Sequence, residues 1–229
     1  MSDSESKHRR IRSFVRRQGR MTDRQERALQ ALWLKYGLEP GGEVLDLNLL
    51  FGRSAPRVLE IGFGMGDALA EMAQAHPEVD YLGIEVHRPG VGHLLAKLEE
   101  HSNLNVRVFC VDAIDVLQYQ IPDESLDRVL LFFPDPWHKK RHNKRRIVRP
   151  EFVEMIHTKL KLNGIFHMAT DWQDYAEWMM RVMNQTDGFE NTAGVDQYSK
   201  RPDYRPVTKF ERRGHRLGHG IWDLLFRKI

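Results

Sequence analysis

The hydrophobic positions of this chain change rhythm repeatedly. A short, mostly apolar stretch, Val58 to Ile61, gives way to Gly62, Gly64 and Gly66, and then Ala68, Leu69, Met72 and Ala73 recur at helical spacing. That is the pattern of a strand, a glycine turn and a helix. Further short apolar runs at 81–86, 106–111, 126–133 and 165–170 predict strands, and the periodic stretches at 91–100, 151–161 and 174–184 predict helices. Repeated strand and helix units build a parallel sheet buried on both faces, because each crossover lays a helix across the strands. The last stretch, 221–229, reads as a strand preceded by loop and by no clear helix, so it is expected to pair antiparallel at or near a sheet edge.

Upstream of this pattern the chain is different. Thr22 followed by Gln25 has the spacing of a capping box, and Ala28, Leu29, Leu32, Trp33 and Tyr36 then recur on one helical face until Gly37. Before it, residues 1–20 carry seven Lys or Arg (Lys7, Arg9, Arg10, Arg12, Arg16, Arg17, Arg20) and too few apolar residues to fold alone. We expect a mobile basic arm docked by a short helix over residues 1–37, and one α/β domain over 38–229. With 35 basic and 32 acidic residues the net charge is only +3, so any case for a polyanionic partner rests on where the charge lies. Cys110 is the only cysteine, which excludes an internal disulfide and a cysteine-rich metal site and fits a reducing compartment, the cytoplasm. Neither a signal peptide nor a membrane span is expected, since no apolar run approaches the required length.

In a doubly wound sheet a ligand sits beyond the carboxyl ends of the strands, so the residues closing each strand are the informative ones. Here they are acidic: Glu60, Glu85, Asp112 and Asp135, then Asp171. The glycines allow a sharp turn and a close approach to a ligand, and Glu85 is placed to accept from ribose hydroxyls. A nicotinamide dinucleotide would need its pyrophosphate in this loop, usually with a wider spacing to the third glycine. A carboxylate at Glu60 opposes a pyrophosphate but suits the ammonium and sulfonium of S-adenosylmethionine. Asp112 could accept from an adenine amino group in either cofactor.

After the fourth predicted strand comes Phe133-Pro134-Asp135-Pro136-Trp137, in which the prolines stiffen a loop that presents Asp135, with Trp137 as a candidate stacking surface for a base. From Lys139 to Arg149 there are seven Lys or Arg and no acid. Beginning four residues after Asp135, this run would set phosphate-binding charge at the mouth of the site.

The glutamate-led glycine loop, the stretch FFPDPWHKKRHNKRR and the late stretch RPVTKFERRGHRLGHGIWDL, in that order, resemble the bacterial tRNA (guanine-N7-)-methyltransferases from about Arg12 to the end. The resemblance implies a class I methyltransferase fold, a Rossmann-like, doubly wound and mostly parallel α/β sheet of seven strands with an antiparallel last strand. It implies S-adenosylmethionine held by Glu60, Gly62, Gly64, Glu85, Asp112 and Asp135, with Asp135 also the catalytic position. It implies contact of the target guanosine with Lys139, Asp171, Thr208, Lys209, Phe210 and Glu211, and of tRNA with Arg141, His142, Asn143, Lys144, Arg145 and Arg146. The product would be 7-methylguanosine at position 46 of the variable loop. Read unaided, Thr208 to Glu211 is only a polar loop before the last strand.

Guanine N7 carries a lone pair and no proton, so its methylation requires positioning and stabilisation of a base that becomes cationic, and no general base. Three other readings remain at this point. An acid between prolines followed by an aromatic also suits methylation of an exocyclic amine. The cofactor pocket could serve a non-catalytic RNA-binding module. A nicotinamide dehydrogenase is disfavoured by the glycine spacing.

Overall fold

A computed structural model describes residues 13–14, 19–208, 211 and 220–229. The basic positions Lys7, Arg9, Arg10, Arg12, Arg16 and Arg17, the substrate positions Lys209 and Phe210, and Arg212, Arg213, His215, Arg216 and His219 lie outside the described residues.

The central strands are β2 (Arg57–Ile61), β3 (Asp80–Ile84), β4 (Val106–Phe109), β5 (Leu126–Phe132) and β6 (Leu160–Thr170), all parallel to one another. The C-terminal strand β8 (Trp222–Lys228) runs antiparallel between β6 and the short β7 (Phe189–Asn191). A two-residue strand β1 (Gly37–Leu38) joins the far edge beside β4, giving the order β1-β4-β3-β2-β5-β6-β8-β7. Among the described residues the sheet has eight strands where seven were expected, and β1 and β7, of two and three residues, are too short to leave a sequence pattern. The antiparallel last strand is as expected.

Both faces are covered. Helices α1 (Asp23–Tyr36), α3 (Asp67–Ala75) and α4 (Arg88–Glu100) close one core, and α5 (Ala113–Tyr119), α6 (Pro150–Lys159) and α7 (Gln173–Asn184) close the other. Strand β2 shows the consequence of alternation: Leu59 and Ile61 enter one core and Val58 the other, and Glu60 shares the Val58 face, under α3. The unpredicted helices α2 (Leu47–Phe51) and α5 are each too short to establish a period. Strand β6 begins five residues before the predicted 165, but only Leu160 pairs there before the register shifts to Ile165.

Helix α1 carries both bonds of the capping box: Thr22 Oγ1 accepts from the Gln25 amide at 3.3 Å and Gln25 Oε1 accepts from the Thr22 amide at 2.9 Å. The helix is packed into the same core as α4, with Lys35 2.8 Å from Glu99 and Arg24 paired with Glu100. Among the described residues no helix is long and apolar enough to cross a membrane.

Candidate active site

Because β2 to β6 are parallel, Glu60, Glu85, Asp112, Asp135 and Asp171 all lie at one edge of the sheet. Between β2 and α3, Gly62, Gly64 and Gly66 hold φ of 74°, 60° and 75°, left-handed conformations that favour glycine. Glu85, just past β3, fixes this loop: its Oε2 accepts from the Gly64 amide at 2.8 Å, and its Oε1 accepts from the amides of Val86 and His87 at 2.6 and 2.9 Å. An ionised carboxylate offers roughly four acceptor positions, so three amides leave about one for a ligand. Two ribose hydroxyls could be bound together only if an amide gave way.

A residue that sequence reasoning missed completes the loop. A Cβ on Gly90, in the first turn of α4, would lie 1.9 Å from the carbonyl oxygen of Gly64. The glycine loop and α4 thus approach backbone to backbone. No periodic signal marks Gly90, since nothing in the sequence shows which surface an interior helix glycine faces.

Glu60 is 3% exposed, and among the described residues its buried Oε2 has no hydrogen-bond partner. Burial first, and the neighbouring Glu85 second, push its carboxyl up to about 8. A buried acid without a donor is costly, so this position is suited to a ligand that brings a cation or a hydrogen-bond donor.

Two cavities meet at Gly62, Phe132 and Phe133. The smaller, about 330 Å³, is bordered by Glu85, Asp112 and Asp135 and also by Ser13 and Phe14. Asp112 caps α5 through Oδ1, which accepts from the Ile114 amide at 3.1 Å. The larger, about 620 Å³, is bordered by Glu60, the glycine loop, Tyr204 and Thr208. Lys139 and Asp171 lie outside the lining of both.

The loop after β5 is built as a rigid turn. Phe133 and Trp137 hold φ of 50° and 51° on either side of Pro134, Asp135 and Pro136, a strained backbone of the kind concentrated at functional sites. Trp137 donates from Nε1 to the Ser13 carbonyl at 3.1 Å, and the Arg145 guanidinium lies 4.9 Å from its ring centroid, so the expected stacking surface is already engaged. His138 packs edge-on against Trp172 at 4.2 Å, joining this loop to the one after β6 that carries Asp171.

The basic run forms a 3-10 helix, Lys140–Arg145, in which Arg141 and Lys144 are exposed and His142, Asn143 and Arg145 are partly so. The crowding of Arg141, Arg145, Lys139 and Lys144, after desolvation, holds the His142 imidazole below its ordinary value. Arg146 departs from the expectation that it lies on the RNA. It is 1% exposed, donates to the Pro136 carbonyl at 3.0 Å, pairs with Asp174 on α7 and sits over Tyr175. A composition count cannot separate it from its solvated neighbours.

Glu211 is also turned inward. It is 3% exposed and meets Arg205, itself fully buried, at 2.7 and 3.3 Å, while its amide donates to Thr208 Oγ1 at 3.1 Å. Arg205 reaches on to Asp223 of β8 at 2.9 Å, and Asp223 contacts His167 at 2.8 Å. Burial is the main cause of the depressed His167 imidazole, and a second ring nitrogen meets Tyr204 Oη at 2.8 Å.

The family model described as "Putative methyltransferase" matches residues 54–224. The chain is similar to a tRNA (guanine-N(7)-)-methyltransferase of Photorhabdus laumondii subsp. laumondii, at 61% identity over 96% of this chain and 92% of that one. Relatives of the same name in Hydrogenovibrio crunogenus and Klebsiella pneumoniae subsp. pneumoniae are 60% and 59% identical over the same shares of both chains. Among solved structures, the 16S rRNA methyltransferase KamB matches with a TM-score of 0.59 at 14% identity, over 85% of this chain and 98% of that one. A precorrin-6y C5,15-methyltransferase from Geobacter metallireducens matches at 0.51 and 14%, over 83% and 94%. At such identities these structures establish the fold alone.

Proposed function

The chain belongs to the tRNA (guanine-N(7)-)-methyltransferase family and methylates guanine N7 in tRNA; from that premise we propose that its methyl donor is S-adenosylmethionine and its target the guanine at position 46 of the variable loop. The observation that carries the cofactor reading is the buried, unpartnered Oε2 of Glu60 beside the glycine loop. An ammonium there supplies both the charge and the donors that this oxygen lacks, whereas a pyrophosphate brings only acceptors and negative charge. Glu85 and Asp112, on the smaller cavity, are the acceptors for ribose and adenine.

When bound, S-adenosylmethionine supplies an electrophilic methyl group. The chain's own residues hold the acceptor. Asp135, presented by the proline-stiffened loop, orients the base and stabilises the positive charge that grows on it, an electrostatic role that needs no proton transfer. Thr208 borders the larger cavity and would meet the guanosine there, and Lys139 and Asp171 would meet it from outside the cavity lining. A carboxylate gripping N1 and the 2-amino group leaves the Hoogsteen edge, with N7, open to the methyl group. Arg141, His142, Asn143, Lys144 and Arg145 would meet the phosphates, and the protein would work in the cytoplasm with its tRNA.

The test is incubation with labelled S-adenosylmethionine and unmodified tRNA bearing guanine or adenine at that position, followed by nucleoside analysis. Label in 7-methylguanosine from the guanine substrate alone is the expected result. A product methylated on an exocyclic amine, or equal labelling of both substrates, overturns the reading.

A further inference from the structure

From the buried ion network behind the larger cavity we infer that Arg205 and Asp223 are positioning residues for methyl transfer, and that Glu211 acts through them and does not contact the guanosine. The inference rests on the function proposed above and changes which residues of the site touch substrate. Arg205 is fully buried between two carboxylates, with its Nη1 and Nη2 on Glu211 at 2.7 and 3.3 Å, its Nη2 2.9 Å from Asp223 Oδ2 and its Nε 2.8 Å from Asp223 Oδ1. Both acids are 3% exposed.

A guanidinium fork is the group that can meet two carboxylates along two edges at once. Its effect here is topological. Glu211 is bonded to Arg205 at the start of the described segment 205–208, and Asp223 fastens Arg205 to β8. Within the segment, Pro206, Val207 and Thr208 border the larger cavity, and the Glu211 amide is bonded back to Thr208 Oγ1. Tyr204, just before it, is held by His167 at 2.8 Å and by the Arg128 guanidinium 3.8 Å from its ring centroid. Residues 205–208 are therefore braced from behind, and removing a carboxylate from Arg205 loosens them although no cavity-lining side chain has changed. Leaving one partner of such a buried set unmatched is also what makes it costly to distort.

The test compares Glu211→Gln, Asp223→Asn, their double mutant and Arg205→Lys in the full-length protein. The readouts are the single-turnover methylation rate at saturating S-adenosylmethionine and tRNA, the tRNA Kd and the melting temperature. Expected are losses of about tenfold or more in rate for each single variant, measured well below its melting point, with tRNA Kd within about twofold because phosphate contacts dominate that affinity. The double mutant should be no slower than the worse single, since both break one device. Arg205→Lys keeps the charge and loses the fork, and should be impaired as well. If it does not fold, the two isosteric carboxylate variants decide alone. Asp223→Asn at the wild-type rate beside an impaired Glu211→Gln would make Glu211 a substrate contact and overturn the inference. So would multiplicative losses in the double mutant, or losses that merely follow the folded fraction. A wild-type protein that makes no 7-methylguanosine counts instead against the function itself.

Discussion

The acids over β2, β3 and β4 stand within three residues of the strand they close; Glu85 and Asp112 are fixed by backbone amides, and the glycine loop beside Glu60 is fixed by its close approach to Gly90. The segments proposed to face substrate are fixed differently, each by a buried guanidinium: Arg146 ties the proline loop to α7, and Arg205 ties residues 205–208 to Glu211 and β8. The cofactor side is thus specified locally, by strand pattern and turn chemistry. The substrate side depends on charges that find partners far along the chain. A guanidinium at the protein surface and one used as an internal brace are the same letter in a sequence. Their difference lies in burial, and four tests sharpen the comparison.

The largest effect is expected at Asp135, whose exposed carboxylate the rigid turn presents. Asp135→Ala should lower the single-turnover rate by about 100-fold or more, the range for loss of a preorganised electrostatic group, with the melting temperature little changed. Near-normal turnover in a folded variant would remove the catalytic role and leave the comparison without its reaction centre.

Next is Gly90→Ala, which attacks the cofactor side through packing. The added methyl would meet the Gly64 carbonyl at 1.9 Å, and since both are backbone, α4 or the glycine loop must shift. Affinity for S-adenosylmethionine should fall by about tenfold, consistent with the sensitivity of a close-packed interior to one extra methyl. Calorimetric titration returning the wild-type Kd would show that the loop is not held by this approach.

The sheet and its acidic edge are legible in the sequence because alternation, glycine turns and strand-end acids are all local. Glu60, Glu85, Asp112 and Asp135 can be placed at strand ends from the residue pattern alone, and the capping box of Thr22 and Gln25 forms as its spacing predicts. Gly90, Arg205 and Asp223 give no sign, since their roles come from neighbours 26, 6 and 56 positions away, Gly64, Glu211 and His167. Thr208 enters only through family resemblance. Arg146 misleads for a simpler reason: it sits in a basic run, and only its burial distinguishes it.

That distinction gives the third test. Replacing Arg141, Lys144 and Arg145 together by Ala should weaken tRNA binding and flatten its salt dependence by about one unit of slope per lost phosphate contact, with little change in melting temperature. Arg146→Ala should do the reverse. It strips a donor from the Pro136 carbonyl and opens space beside Tyr175, so a stability loss of about 1–3 kcal/mol is expected at a nearly unchanged salt slope. A salt slope that falls as much for Arg146→Ala as for one of the exposed residues would place Arg146 on the RNA after all.

The smallest signal, a fraction of a proton, tests the cofactor side most directly. Burial, with Glu85 beside it, pushes the Glu60 carboxyl up to about 8, so at pH 7 the ligand-free protein carries it largely protonated. An ammonium placed against it favours the charged form and lowers that pKa, and binding S-adenosylmethionine at pH 7 should therefore release less than one proton. Calorimetry in buffers of different ionisation enthalpy measures that number, and Glu60→Gln should abolish it. The same group sets a stability trend of known sign. Its folded-state value lies above the ordinary 4.5, so its contribution is fully present below 4.5 and is lost as pH rises toward about 8. The ligand-free protein should accordingly lose stability across that window, and Glu60→Gln should flatten the decline. Proton uptake on binding, or a release that persists in Glu60→Gln, would mean that the ammonium is met elsewhere and that the unpartnered oxygen is not the cofactor's anchor.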